Sequence, residues 1–240
     1  MTMQHWLAFD TSTEVLSIGV SAKGHTEVRT LAGGAQSSSS LIPTAMEMLA
    51  QAGIGLAQLD AIVFGRGPGS FTGLRTACAV AQGLAFGADI AVLPVDTLLA
   101  VAEEARVLAG VGAQPLKVLA LLDARMDEVY SAAYHWDGQH WTALGPLQVC
   151  RPEQITVPEA QPAGARRLLL AGNAFEAYGE RLPAGERVHA LPTAAALLRL
   201  APKLMAAGQA VPPEQAMPLY IRDKVAQTTA EREAAKASGA

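Results

Sequence analysis

Two stretches of this chain carry residue types that could do chemistry. In the first, Gly65, Gly67, Pro68 and Gly69 follow the short apolar run 61–64 and precede Ser70 and Thr72, either of whose hydroxyls would cap a helix. A glycine turn between a strand and a helix N-terminus presents free N–H groups and the positive end of a helix dipole, an arrangement that holds phosphate. In the second, Asp10 ends the apolar run 6–9 and is followed by Thr11, Ser12 and Thr13. A carboxylate beside three hydroxyls suits coordination of a metal-bound phosphate, although the same residues make an ordinary Asx-turn, which is the simpler reading. Asp10, Gly67, Gly69 and Ser70 form a candidate nucleotide site, with Asp123 at the end of the apolar run 118–122 as a further carboxylate.

The phosphate fingerprints are incomplete. A P-loop needs a Gly-Lys-Ser/Thr ending, and no lysine lies between Lys23 and Lys117. The dinucleotide pattern would require glycine at Thr72, and Pro68 removes a backbone donor. A nucleophile elbow around Ser70 would require glycines at Pro68 and Thr72. What is complete is a stripe: Gly73, Ala77, Ala81 and Ala85 recur every four residues, placing small side chains down one helical face. Such a stripe permits close backbone approach, within the core or against another subunit, and packing is preferred over phosphate on that ground.

Composition narrows the function. The chain has 240 residues, half of them apolar and 17% charged, as in a soluble globular protein of one or two domains. A net charge of -4 argues against a surface that grips nucleic acid through many phosphates. Cys78 and Cys150 are far apart and form no Cys-x-x-Cys, so neither a disulfide framework nor a zinc site is indicated. No basic leader with an apolar core precedes Asp10 and no apolar run reaches membrane-spanning length, so a cytoplasmic location is expected, with no membrane partner.

The elements that must position these residues repeat. Residues 6–10, 15–21 and 26–31 read as an antiparallel meander, followed by a helix over 41–52 that Gly53 stops. The strand and helix of the glycine turn come next, then a strand over 90–95 and a helix over 98–108. After the loose segment 110–115 the plan recurs, with strands over 118–122 and 129–134, a turn at Asp137-Gly138, a strand from Trp141, a strand over 167–171 and a helix over 174–182. Thr193 can cap a helix running to Leu204. The expected fold is α/β, two tandem actin-like domains with mixed sheets (the ASKHA, ribonuclease H-like class), divided as 1–109 and 110–226, with a frayed tail over 227–240.

Three stretches carry a family resemblance: GRGPGSFTGLR (65–75), DARMDEVYSAAY (123–134) and PLYIRDKVA (218–226). They resemble the TsaB (YeaZ) family, the bacterial dimerisation subunits of the machinery that makes threonylcarbamoyladenosine in tRNA. The resemblance covers nearly the full chain. It implies the paired actin-like fold, a homodimer in isolation, pairing with the catalytic paralogue TsaD, the ATPase TsaE joining the assembly, and only indirect contact with tRNA. It implies no cofactor for this chain, ATP being used by the complex. The paralogue's His-x-x-x-His metal site would align with Thr97 and Val101, neither a plausible ligand for iron or zinc. No His-Glu-x-x-His occurs either. Ser37 stands where many members carry a histidine before the Ser/Thr-x-x-Leu-Leu-Pro segment, so a role for that histidine does not carry over.

The expected function is therefore a non-catalytic scaffold without catalytic or metal-binding residues of its own, which binds and orders TsaD for threonylcarbamoyl transfer to adenosine next to the anticodon. Its partner interface is expected at Leu41, Ala45 and Met48 on one helix and Gly73, Leu74, Ala77, Ala81 and Leu84 on the next. The alternative is an ATP-dependent small-molecule phosphotransferase of the actin-like superfamily, using Asp10, Asp123 and the glycine turn.

Overall fold

The structure, a computed structural model, describes residues 4–157 and 167–222. The tail expected over 227–240 lies outside the described residues. The meander forms as β1 (Trp6–Asp10), β2 (Val15–Ala22) and β3 (His25–Ala32), all antiparallel neighbours. A helix α1 (Ser37–Ala52) follows, then β4 (Ala61–Gly67), α2 (Phe71–Ala88), β5 (Ala91–Asp96) and α3 (Thr97–Leu108). β4 returns parallel to β1 and β5 parallel to β4, giving a mixed sheet in the order β3-β2-β1-β4-β5.

The second half repeats this plan. β6 (Leu116–Arg125) and β7 (Glu128–Trp136) form a hairpin, β8 (Trp141–Ala143) and β9 (Gln148–Cys150) both pair with β7, and β10 (Leu168–Gly172) and β11 (Glu186–His189) add in parallel beyond β6. Two differences from the expected elements stand out. The helix expected over 174–182 is a four-residue α4 (Phe175–Tyr178) that passes into a 3-10 turn, because Gly179 takes a positive φ of 47°. β11 has charged residues at Glu186 and Arg187 and no apolar alternation, so its sequence gives no strand signal. The last helix, α5 (Ala194–Ala206), begins at Thr193, whose hydroxyl accepts the Ala196 N–H at 3.1 Å as expected of a cap.

The sheets are stacked with helices between and outside them. On the outer face of the first sheet, Leu7, Phe9, Ile18, Ile62 and Phe64 are covered by α1 and α2. Its inner face, with Trp6, Ala8, Val63 and Leu93, is covered by Leu197, Leu198 and Ala201 of α5. The second sheet turns Val118, Ala120, Leu122 and Leu169 toward Leu98, Val101 and Ala105 of α3. Each half thus covers the inner face of the other half's sheet with its own last helix.

Where these two helices meet, a buried ion-pair network joins them. Glu103, 3% exposed, accepts from Arg106 Nη2 at 2.7 Å, from Arg199 Nε at 2.8 Å and from Trp141 Nε1 at 3.0 Å. Burial raises its pKa, but these hydrogen bonds outweigh it and hold the carboxyl below the usual range. Among the described residues no helix is long and apolar enough to cross a membrane.

Candidate functional site

The glycine turn, the β1–β2 turn and the N-terminus of α2 are interlocked. Ser70 is the N-cap of α2, its hydroxyl accepting the Gly73 N–H at 3.4 Å. Its own N–H donates to the Ser12 carbonyl at 2.8 Å, and Thr11 Oγ1 donates to the Gly73 carbonyl at 2.7 Å. Asp10 makes the Asx-turn: its Oδ1 accepts the Ser12 N–H at 2.8 Å and the Ser12 hydroxyl at 2.6 Å. Among the described residues its Oδ2 has no partner, and it has no access to solvent. That oxygen lies against Gly65, where a Cβ would sit 1.7 Å from it, so only glycine fits beside it. Burial pushes the Asp10 carboxyl up to about 6, with the two Ser12 hydrogen bonds holding it back only in part.

Asp123, at the equivalent place in the second half, has a different fate. Its backbone N–H donates to Asn173 Oδ1 at 2.9 Å, and its Oδ1 accepts from Tyr178 Oη at 2.8 Å. Burial, followed by that bond to Asp123, pushes the Tyr178 phenol up to about 12. Arg125 Nη1 lies 3.0 Å from Asp123 Oδ2.

Between the two halves lies a cleft of about 370 Å³. One wall is Ser12, Gly69, Ser70 and Phe71, and the other includes Asp123 and Asn173. A segment of the chain itself crosses its mouth, since Leu219, Tyr220, Ile221 and Arg222 line the same space. Of the four candidate nucleotide residues, Gly69 and Ser70 reach the cleft. Asp10 is sealed behind the turn, and Gly67 is buried beneath Leu74 and the Leu219 carbonyl, its N–H given to Thr97 Oγ1 at 3.1 Å.

The residues expected at a partner interface are placed differently. Leu41, Ala45, Met48, Ala77 and Ala81 are buried in the core between the helices and the first sheet, and the half-buried Leu84 packs on the same cluster. Gly73 is buried against the Thr11 carbonyl and Leu74 against Gly67. These side chains face inward, so the face of the pair that a partner can reach is the opposite one. It consists of Ile42, Met46 and Ala50 on α1, with Thr72, Ala79, Gly83 and Phe86 on α2, all exposed and spaced to form one stripe on each helix. Phe86 is 78% exposed, Ile42 41% and Met46 42%. Glu47 is the one charged residue of α1 and Arg75 that of α2.

Thr97 and Val101 are fully buried in α3. Among the described residues no three His, Cys, Asp or Glu side chains gather as metal ligands would.

The sequence matches the family model of TsaD, described as tRNA N6-adenosine threonylcarbamoyltransferase, over residues 32–230. It is 37% identical to the "tRNA threonylcarbamoyladenosine biosynthesis protein TsaB" of Haemophilus influenzae, over 91% of this chain and 94% of that protein. The chain belongs to the TsaB (YeaZ) family. The TsaB of Escherichia coli is 33% identical over 92% of this chain and 95% of its own. The solved structure of YeaZ from Pseudomonas aeruginosa superposes with a TM-score of 0.83 at 37% identity, covering 91% of this chain and all of that one. That solved structure shares the paired α/β fold expected from the internal repeat.

Proposed function

We propose that this chain acts in tRNA threonylcarbamoyladenosine biosynthesis as a non-catalytic scaffold, which docks on a TsaD-type paralogue through the outer face of α1 and α2. The observation that carries this reading is the pair of exposed, uncharged stripes, Ile42, Met46 and Ala50 on α1 and Thr72, Ala79, Gly83 and Phe86 on α2. Large apolar side chains exposed together with small residues are a feature of interaction surfaces, and the bare Gly83 and Gly87, whose Cβ positions are open space, would let a second helix pair approach closely. A homologous helix pair would meet it, on the paralogue or on a second copy of this chain. The transfer chemistry would reside in the paralogue, which this subunit would order, with a TsaE-type ATPase joining the assembly and tRNA held by the other subunits.

The test is Phe86→Asp in the full chain, measured by light scattering alone and mixed with the cognate TsaD-type protein. The expected outcome is loss of both the homodimer and the one-to-one complex at an unchanged melting temperature. Wild-type pairing by the variant would sink the reading.

A further inference from the structure

Most sheet edges of this molecule are closed or short, the usual defences against stray pairing. On β5, Val92 and Val211 exchange both backbone hydrogen bonds, at 2.9 and 2.8 Å. β11 is four residues long and β8 three. β3 is different: it runs for eight residues, mostly exposed, without proline, lysine or a bulge in its register with β2. Its outer ladder is open. Gly33 N–H donates to the Glu14 carbonyl at 2.9 Å, one step beyond the pair Val15 and Ala32, so by antiparallel alternation residues 25, 27, 29 and 31 bond to β2. Thr26, Val28 and Thr30 therefore turn their N–H and C=O groups outward, and no other element of the described residues pairs with them.

We propose that the β3 edge pairs with the β3 edge of a second copy of this chain, antiparallel about a two-fold axis at Val28. The run 26–30, Thr-Glu-Val-Arg-Thr, is self-complementary about that point. In this register Val28 faces Val28 and Thr26 faces Thr30, in the hydrogen-bonded pairs that the outward groups require. Glu27 then faces Arg29 of the second copy in a non-hydrogen-bonded pair, where opposite side chains stand closest. Glu27 and Arg29 already meet within one chain at 2.8 Å, so the four charges form a square of alternating sign. Sliding one strand by two residues sets Glu27 against Glu27 or Arg29 against Arg29, which fixes the register. The helices leave room. α1 lies over β2, and three interstrand steps separate β2 from its copy, so the two α1 helices stand about 14 Å apart, beyond the roughly 8–10 Å of packed helices. The contact uses none of the exposed stripe residues of α1 and α2 and does not depend on the reading of that face.

The experiment uses the full chain carrying Phe86→Asp, which removes pairing through the helices, and follows mass against concentration by sedimentation equilibrium. A strand pair of this length buries little area, so the association is expected to be weak, empty in the dilute solution where the helix contact is read and filled as the chain is concentrated. In this background Glu27→Arg and Arg29→Glu each set like charges face to face, and each is expected to weaken self-association at least about tenfold. An equimolar mixture of the two single variants is expected to restore it as a mixed dimer, and the double exchange in one chain is expected to restore it as a homodimer. A parent that stays monomeric at about 1 mM overturns the proposal. So do single variants that associate as the parent does, or a mixture that stays monomeric while both variants keep the parent's melting temperature. If Phe86→Asp leaves pairing unchanged in dilute solution, the helix reading fails, and the charge exchange still decides the strand contact.

Discussion

Thr11 and Gly73 are in backbone contact: besides the hydroxyl bond between them, a Cβ on Gly73 would lie 1.8 Å from the Thr11 carbonyl oxygen. This fixes how deeply the glycine-turn helix sits on the end of β1. Gly73→Ala must push the helix off the turn, and overpacking of this kind costs about 1–3 kcal/mol or more. Urea unfolding is expected to show that loss, whereas Gly83→Ala, which meets open space, should be neutral or slightly stabilising.

Asp10 gives the protein a pH dependence of unusual sign. Its folded pKa, about 6, exceeds the ordinary 3.8, so between those values the folded state binds more protons than the unfolded one. Its contribution therefore falls as pH rises from about 4 to about 6 and is level above that, a span equivalent to about 3 kcal/mol. Asp10→Asn keeps an oxygen for the two Ser12 bonds and removes the buried charge. The variant is expected to match wild type at pH 4 and to exceed its stability at pH 7.5, read by denaturant melts at both values.

Ser37 opens α1 buried, and its hydroxyl has no partner among the described residues. An unmade hydrogen bond in the interior costs about 1–3 kcal/mol, and alanine is also the better helix former. Ser37→Ala is expected to raise the melting temperature. A drop would mean that the hydroxyl has a partner in solution.

Glu103 is the shared acceptor of Arg106, Arg199 and Trp141. Glu103→Gln leaves the Arg106 guanidinium facing a neutral amide in a largely buried site, while Arg199 keeps its pairing with Glu104, so the variant is expected to lose about 1–3 kcal/mol. Because the carboxyl lies below its usual range, its contribution is present above the ordinary carboxylate pKa and lost as pH falls through the lower folded value. The gap between variant and wild type should therefore close in acid.

Much of this architecture was legible because its signals are local. Alternation and turn residues defined both meanders, and Ser70 and Thr193 announced their helices as caps. The residues expected at a partner interface lie on the inner face for a physical reason. Periodicity shows that Gly73, Ala77 and Ala81 share a face, but the direction of that face is normally betrayed by charge on the other side, and α2 has almost none. Thr72, Ala79 and Gly83 are nearly as small and uncharged as the buried stripe, so only the sheet decides which side is inner. The crossing of the cleft by residues 219–222 depends on contacts with Arg66 and Glu128, far away in sequence, and no pattern within those residues foretells it. The sealing of Asp10 was equally silent, since it depends on Gly65 lying beside it.

The exchange of last helices bears on how the chain is made. During synthesis the strands of the first sheet are complete once Asp96 has emerged, yet the helix that covers Trp6, Ala8, Val63 and Leu93 begins only at Ala194. For nearly a hundred residues of translation the nascent chain exposes one apolar face of a finished sheet, so the first half must wait, shielded by chaperones or by loose contacts of its own, until the second half is almost complete.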